Sequence, residues 1–282
     1  MHFAICPLSV VPVRNTPSHR SEMLSQLLFG ELVEILEEKG KLWSRVRCDN
    51  DNFVGWVETS QLKLITPTEF EHYQQHFAFS LELVQPVMGP DHFIPVTMGA
   101  RLPDFDGMRF HLGDTTYTFS GQALSIGDFQ PTAELVLKLA KRYLHTPYLW
   151  GGRSPFGIDS SGLVQMVYNL AGFRLPREPQ QQLEVGETID FIEHAQIGDI
   201  AFFENNNGRI THSGIMMPNG QIIHANGGVR IDLVDHYGIF DDQKKYYTRR
   251  LRLIKRILPT IANAGNSSAS TVDVRSKQIE LF

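Results

Sequence analysis

The sequence predicts an α+β protein in which two small all-β modules precede a larger domain of helices and antiparallel strands. Three observations carry this. Short strands with tight turns fill residues 1 to about 64 and return from about 77 to 125. At Pro131 the texture changes to apolar residues at helical spacing. Five strand-like runs then follow one another, and helices before an antiparallel meander imply α+β.

In the first module (1–64), "LWSRVRC" sets Trp43, Arg45 and Arg47 against Ser44, Val46 and Cys48. Lys39-Gly40-Lys41 reads as the turn before it, and Gly55-Trp56-Val57 as a further short strand. "PTEFEHYQQH" (67–76) reads as a short helix or linker. A second, degenerate module (65–125) carries turn chemistry at Asp104–Gly107 and Gly113–Asp114. The third domain spans 126–258. It opens on a helix with Pro131 at N1 and Leu135, Leu139 and Leu144 on one side, ending before Pro147. A second helix opens around Ser160, where Asp159, Ser160 and Ser161 are all N-cap types, and closes at Gly172. A polar loop follows, then strands near 198–204, 210–217, 221–225, 229–234 and 246–257. Residues 259–282, rich in Ala, Asn, Ser and Gly, read as a flexible tail.

The 282 residues are too many for one small core, and a net charge of −5 without a basic run argues against nucleic acid or an anionic membrane as partner. Cys6 and Cys48 are too few for a disulfide framework and fit no metal spacing. No HExxH or CxxC occurs, so neither a metal nor another cofactor is expected in catalysis. The first fourteen residues make a poor signal peptide, which sets the expectation of a cytoplasmic protein. The oligomeric state is not legible.

Two features could carry chemistry. Ser160 and Ser161 stand at the positive end of a helix, where backbone N–H groups stabilise negative charge. His212 and His224 flank the turn Pro218-Asn219-Gly220. If all three turn residues are loop, Gly214 stands opposite His224 and both imidazoles share a sheet face; a two-residue loop would separate them. A base beside a nucleophile, backed by a second histidine, would suit nucleophilic catalysis.

Residues 1–64 resemble a bacterial SH3-type domain through "VRNTPSHRSEMLSQLLFGELVEIL", "LWSRVRC" and "GWVETSQL". Residues 131–257 resemble an NlpC/P60 domain, a papain-like cysteine peptidase fold. The resemblance rests on Tyr148-Leu149-Trp150-Gly151-Gly152, Asp159-Ser160-Ser161-Gly162, His212-Ser213-Gly214-Ile215 and His224-Ala225. It implies that Ser160 fills the nucleophile position where the family has cysteine, and that Ser161 is the family's own serine. His212 would be the base and His224 its orienting partner. A hydroxyl is far less acidic than a thiol and cannot be held as a stable anion, so little or no turnover is expected of this chain. The intact motifs favour a deliberate Cys→Ser replacement over a natural pseudoenzyme or a genuine serine variant.

With the SH3-like modules, the resemblance extends to γ-D-glutamyl-L-diamino-acid endopeptidases, which cut wall-derived peptides before L-Lys or meso-diaminopimelate. Some require a free L-Ala amine, which needs an acidic partner: Asp159, with Glu58 and Asp51 as lesser candidates. Tyr148 and Trp150 are expected to line the pocket. Arg177-Glu178-Pro179 stands where such relatives carry Arg-Asp-Ser; Arg177 would meet a substrate carboxylate, with Glu178 beside it. A non-catalytic binder of wall peptides is the competing expectation.

Overall fold

The computed structural model describes residues 2–125, 131–242 and 244–259. Beyond Pro259 the expected tail lies outside the described residues.

The first module forms a seven-stranded sheet from β1 (His2–Ile5), β2 (Val10–Arg14), β3 (Met23–Leu28), β4 (Leu32–Lys39), β5 (Trp43–Cys48), β6 (Val54–Glu58) and β7 (Lys63–Ile65), ordered β3-β2-β6-β5-β4-β1-β7. The predicted alternation holds along β5: Arg45 and Arg47 are exposed, Ser44, Val46 and Cys48 buried. Gly40 turns the β4–β5 hairpin in the left-handed region at φ 62°.

Helix α1 (Pro67–Gln75) leads to the second module. Its N-terminus is a capping box: Thr66 Oγ1 accepts from Glu69 N at 3.2 Å while Glu69 Oε2 accepts from Thr66 N at 2.7 Å. The second module comprises β8 (Phe77–Ser80), β9 (Val84–Met88), β10 (Phe93–Thr97), β11 (Arg101–Pro103), β12 (Arg109–Leu112), β13 (Thr115–Thr118) and β14 (Ala123–Ser125), in two small sheets. Phe110, Tyr117 and Phe119 fill its centre and pack against Phe29 of the first module.

The third domain begins with α2 (Ala133–Arg142), whose cap is Thr132. Pro131 therefore precedes the cap instead of sitting at N1, since the Thr132 hydroxyl takes the Leu135 amide. The short hairpin β15 (Arg153–Ser154) and β16 (Gly157–Ile158) leads into α3 (Ser160–Leu170), every residue of which is buried. The expected polar loop contains α4 (Pro179–Gln182) and β17 (Glu187–Ile189). Strands β18 (Ile200–Glu204), β19 (Ile210–Met217), β20 (Gln221–Asn226), β21 (Gly228–Val234), β22 (Gly238–Asp241) and β23 (Tyr246–Arg256) pair in succession, and β22 returns to β23 to close a barrel. Strand β22 is missing from the sequence reading because four residues between turns carry too little pattern. No described helix is long and apolar enough to cross a membrane.

Buried polar contacts join the three units. The β5–β6 turn is their meeting point. Asp49 accepts from Arg101 of β11 at 3.0 Å and from Gln74 of α1 at 2.6 Å, and Asn50 accepts from Arg101 at 2.9 Å. Asp51 accepts from Gln165 of α3 at 2.7 Å, and burial pushes its carboxyl up. Nearer the helix start, Arg153 grips Glu31 through two bonds of 2.8 and 2.9 Å and the Gln26 carbonyl at 2.6 Å.

Candidate active site

Asp159 ends the extended approach and caps α3. Its Oδ1 accepts from Gly162 N at 2.7 Å and Ser161 Oγ at 3.2 Å; its Oδ2 accepts from Gly151 N at 2.9 Å and Arg177 Nη2 at 2.6 Å. Leu163 N–H goes to the Asp159 carbonyl. The first two helix amides, those of Ser160 and Ser161, are the ones left for an incoming anion.

The motif glycines answer to sterics. Gly151 is left-handed at φ 76°, and a Cβ there would meet the Met23 carbonyl oxygen of β3 at 2.5 Å. A Cβ on Gly162 would lie 2.3 Å from the Gly152 carbonyl oxygen. The loop before the nucleophile position therefore lies directly on the helix start and on the first module.

On the barrel, the three-residue turn forms as predicted: Gly214 pairs with His224 and Met217 with Gln221. His212 and His224 share a face, with Nε2 of the first 2.7 Å from Nδ1 of the second and the rings perpendicular. The relay continues to a residue the sequence reading missed. His224 Nε2 lies 3.0 Å from Asp232 Oδ2, and Asp232 Oδ1 accepts from Arg230 at 2.7 Å. The turn at Gly227 would have revealed it: His224 pairs with Arg230, which puts Asp232 diagonally across on the same face.

A carboxylate only accepts, so His224 carries its proton on Nε2 and offers Nδ1 as acceptor. His212 then donates from Nε2, which leaves its Nδ1 lone pair as the basic atom. Burial pushes His212 well below the ordinary 6.5, with the His224 and Arg249 charges adding to it. Burial also lowers His224, against the pull of Asp232. Burial alone would raise the Asp232 carboxyl, but its bonds from His224 and Arg230 hold it below the usual carboxylate range.

These shifts have a thermodynamic consequence. The unfolded chain protonates both rings below about 6.5, whereas the folded chain keeps them neutral to lower pH. Between those values the unfolded state binds more protons. Their contribution to stability is complete above about pH 6.5 and is lost as pH falls through the folded values. Melting temperature is expected to drop from about pH 7 to about pH 5.5, and His224→Gln to flatten that slope. Calorimetric scans across the range check this.

The histidine strand and the helix start are held together through α4. Gln180 donates to the Ile210 carbonyl at 2.7 Å and Gln182 to the Ser161 carbonyl at 3.1 Å. Helix α3 packs against β19 and β20. Tyr148 N donates to the Gly227 carbonyl at 3.1 Å, which ties the lead-in loop to the turn after His224. Ser160 is buried, yet its hydroxyl makes no hydrogen bond with a described residue. The expected contact with His212 is therefore not closed as a hydrogen bond, and a serine arm is shorter than a cysteine's.

Several expected substrate ligands have other partners. Arg177 is no solvated cation: it is buried, donating to Asp159 and to Ser161 Oγ at 2.8 Å. Asp159 has all four carboxylate acceptor positions occupied, so it is not open to a substrate amine. Ser161 is buried and committed to this pair, and Asp51 is committed to Gln165. Glu178 is exposed at the start of α4 and forms no side-chain cap. Glu58 of β6 accepts from Ser60 at 2.9 Å. Tyr148 and Trp150 are 39% and 59% exposed, which leaves both free to meet a ligand. Burial, with the nearby Asp159 charge, raises the Tyr148 phenol.

Residues 145–254 match the NlpC/P60 family, and residues 13–62 match the bacterial dipeptidyl-peptidase Sh3 domain. The chain is 26% identical over 224 residues to the gamma-D-glutamyl-L-lysine dipeptidyl-peptidase of Bacillus subtilis (strain 168), covering 71% of each chain. It is 26% identical over 260 residues to dipeptidyl-peptidase 6 of Lysinibacillus sphaericus, covering 83% of this chain and 90% of that one. The crystal structure of an NlpC/P60 family protein from Bacillus cereus ATCC 10987 superposes with a TM-score of 0.78 at 20% identity, covering 91% of this chain and all of the other. The chain thus carries an NlpC/P60 domain behind a bacterial SH3 domain and is homologous to the gamma-D-glutamyl-L-lysine dipeptidyl-peptidases.

Proposed function

We propose that this chain is built to hydrolyse the amide bond between γ-D-glutamate and an L-diamino acid, L-Lys or meso-diaminopimelate, in small cell-wall peptides. Ser160 stands at the nucleophile position and makes the present form a poor catalyst. The observation that carries the reading is the buried line His212–His224–Asp232, with contacts of 2.7 and 3.0 Å, on strands that pack against α3.

In this reading His212 Nδ1 takes the proton from the group at position 160 as that group attacks the γ-carbonyl. The carbonyl oxygen becomes an oxyanion held by the amides at the start of α3. His212 then returns the proton to the departing diamino-acid nitrogen, and the C–N bond breaks. Water repeats the sequence on the acyl intermediate and restores the residue. His224 and Asp232 hold the base in its tautomer, as the acid does in a serine-protease triad. Tyr148 and Trp150 border the peptide. The reading further places the protein in the cytoplasm, on soluble fragments.

The test is release of free L-Lys or diaminopimelate from L-Ala-γ-D-Glu-diamino-acid by the Ser160→Cys variant. A pure binding protein would instead hold the peptide tightly in both forms and cleave it in neither, which calorimetry with product analysis distinguishes. In the Ser160→Cys background, Asp232→Asn is expected to lower kcat about a hundredfold or more with little change in KM. An asparagine amide can present N–H to His224 Nε2 and reverse the tautomer along the relay.

A further inference from the structure

Helix α1 and the β11–β12 turn bring together side chains that the proposed reaction does not use. We propose that His72, His76 and Asp104 form a binding site for one borderline divalent metal ion of the Zn²⁺ class.

One ligand atom from each of the three side chains lies within 4.8 Å of the others. His72 and His76 stand four residues apart on α1 and its C-cap, hence on one face, with rings stacked at 4.4 Å. His76 Nδ1 lies 3.0 Å from the His72 carbonyl oxygen, which can only accept. The neutral His76 ring therefore keeps its lone pair on Nε2, the usual arrangement of a metal-binding imidazole oriented by a backbone carbonyl. His72 Nε2 lies 2.8 Å from both oxygens of Asp104. On binding, the His72 proton shifts from Nε2 to Nδ1 by exchange with solvent, the ring stays neutral, and the metal takes the proton's place between Nε2 and the carboxylate.

The backbone prepares the third ligand. Asp104 is left-handed at φ 51°, a conformation that Asp tolerates better than most residues, and its N–H donates to the His76 carbonyl at 2.9 Å. The carboxylate is thus fixed over the helix end before any ion arrives. Two imidazoles and one carboxylate suit zinc better than calcium or magnesium, and a water would complete the tetrahedron. All three side chains are exposed, so an ion has a path in. A bound metal would clip the inter-module helix to the second module, a structural role separate from the histidine relay.

Titration of the metal-free full chain with ZnCl₂ by calorimetry tests this. One equivalent is expected to bind saturably and raise the melting temperature. His76→Gln and Asp104→Asn are each expected to weaken binding at least about tenfold. Both substitutions are at exposed positions, and Asn keeps the left-handed backbone; matching circular dichroism confirms that the fold is intact. No saturable binding by the unmodified chain, or unchanged affinity in either variant, would overturn the proposal.

Discussion

Ser160→Cys is expected to raise kcat/KM for the γ-D-Glu–L-diamino-acid bond on the order of a thousandfold or more. Acidity and reach both favour the thiol over the hydroxyl. A free thiol ionises near 8.5, and a helix start beside an imidazole lowers that further. The thiolate can persist, whereas serine must lose its proton during attack. Burial keeps His212 neutral, which suits a base, but the Ser160 hydroxyl makes no hydrogen bond with a described residue that would begin the transfer. A sulfur extends further from the helix than a hydroxyl oxygen does. Everything around the position is already built: Asp159 is anchored by Arg177, and the first helix amides are available. The gain is expected in kcat, because the substitution leaves Tyr148 and Trp150, the proposed peptide-bordering side chains, unchanged. High-performance chromatography of the tripeptide digest measures it, with the unmodified chain as reference.

Arg153→Met is expected to cost about 3–5 kcal/mol, since it strands the Glu31 carboxylate in the interior. Arg153 and Glu31 are only 2% and 3% exposed and share two bonds, of 2.8 and 2.9 Å. Glu31 Oε2 also accepts from Leu28 N at 2.9 Å, so its position is fixed from both sides. The first unfolding transition is expected to fall by roughly 10 °C. The companion Glu31→Gln removes the stranded charge while its amide oxygen still serves Leu28 N, so the double variant is expected to recover part of the loss. Non-additivity of this kind is what a direct pair produces. Arg153 also bonds Gln26 next to the loop that carries Trp150 and Gly151. In the Ser160→Cys background, Arg153→Met is therefore expected to raise KM. Melting curves on the two single variants and the double variant, with kinetics, test both parts.

The catalytic geometry was legible where it depended on local spacing. The His212–His224 pairing follows from counting a three-residue turn, and the nucleophile position follows from a cap followed by a periodic helix. Asp232 could have been reached by the same counting across the next turn. The partners of Arg177 could not. In sequence it is a cation on a polar loop, and only the fold brings it under the helix cap. Arg153 and Glu31 are 122 residues apart, and the Asp51–Gln165 contact spans 114. Side chains so distant leave no periodicity for a single sequence to show. The same limit concealed the His72–His76–Asp104 cluster, because its third member comes from a separate strand connection.

The central claim is that the residue at position 160 is served by the His212–His224–Asp232 relay. Alkylation by iodoacetamide tests it directly, because the native thiols are silent. Cys6 and Cys48 are buried, and burial pushes the first to about 12 and the second well above its ordinary value. In Ser160→Cys, the introduced thiol is expected to react stoichiometrically at about pH 6, where a free thiol is almost entirely protonated, and to slow at least about tenfold when His212→Gln is added. Reaction at the rate of an ordinary free thiol, indifferent to His212→Gln, would contradict the account.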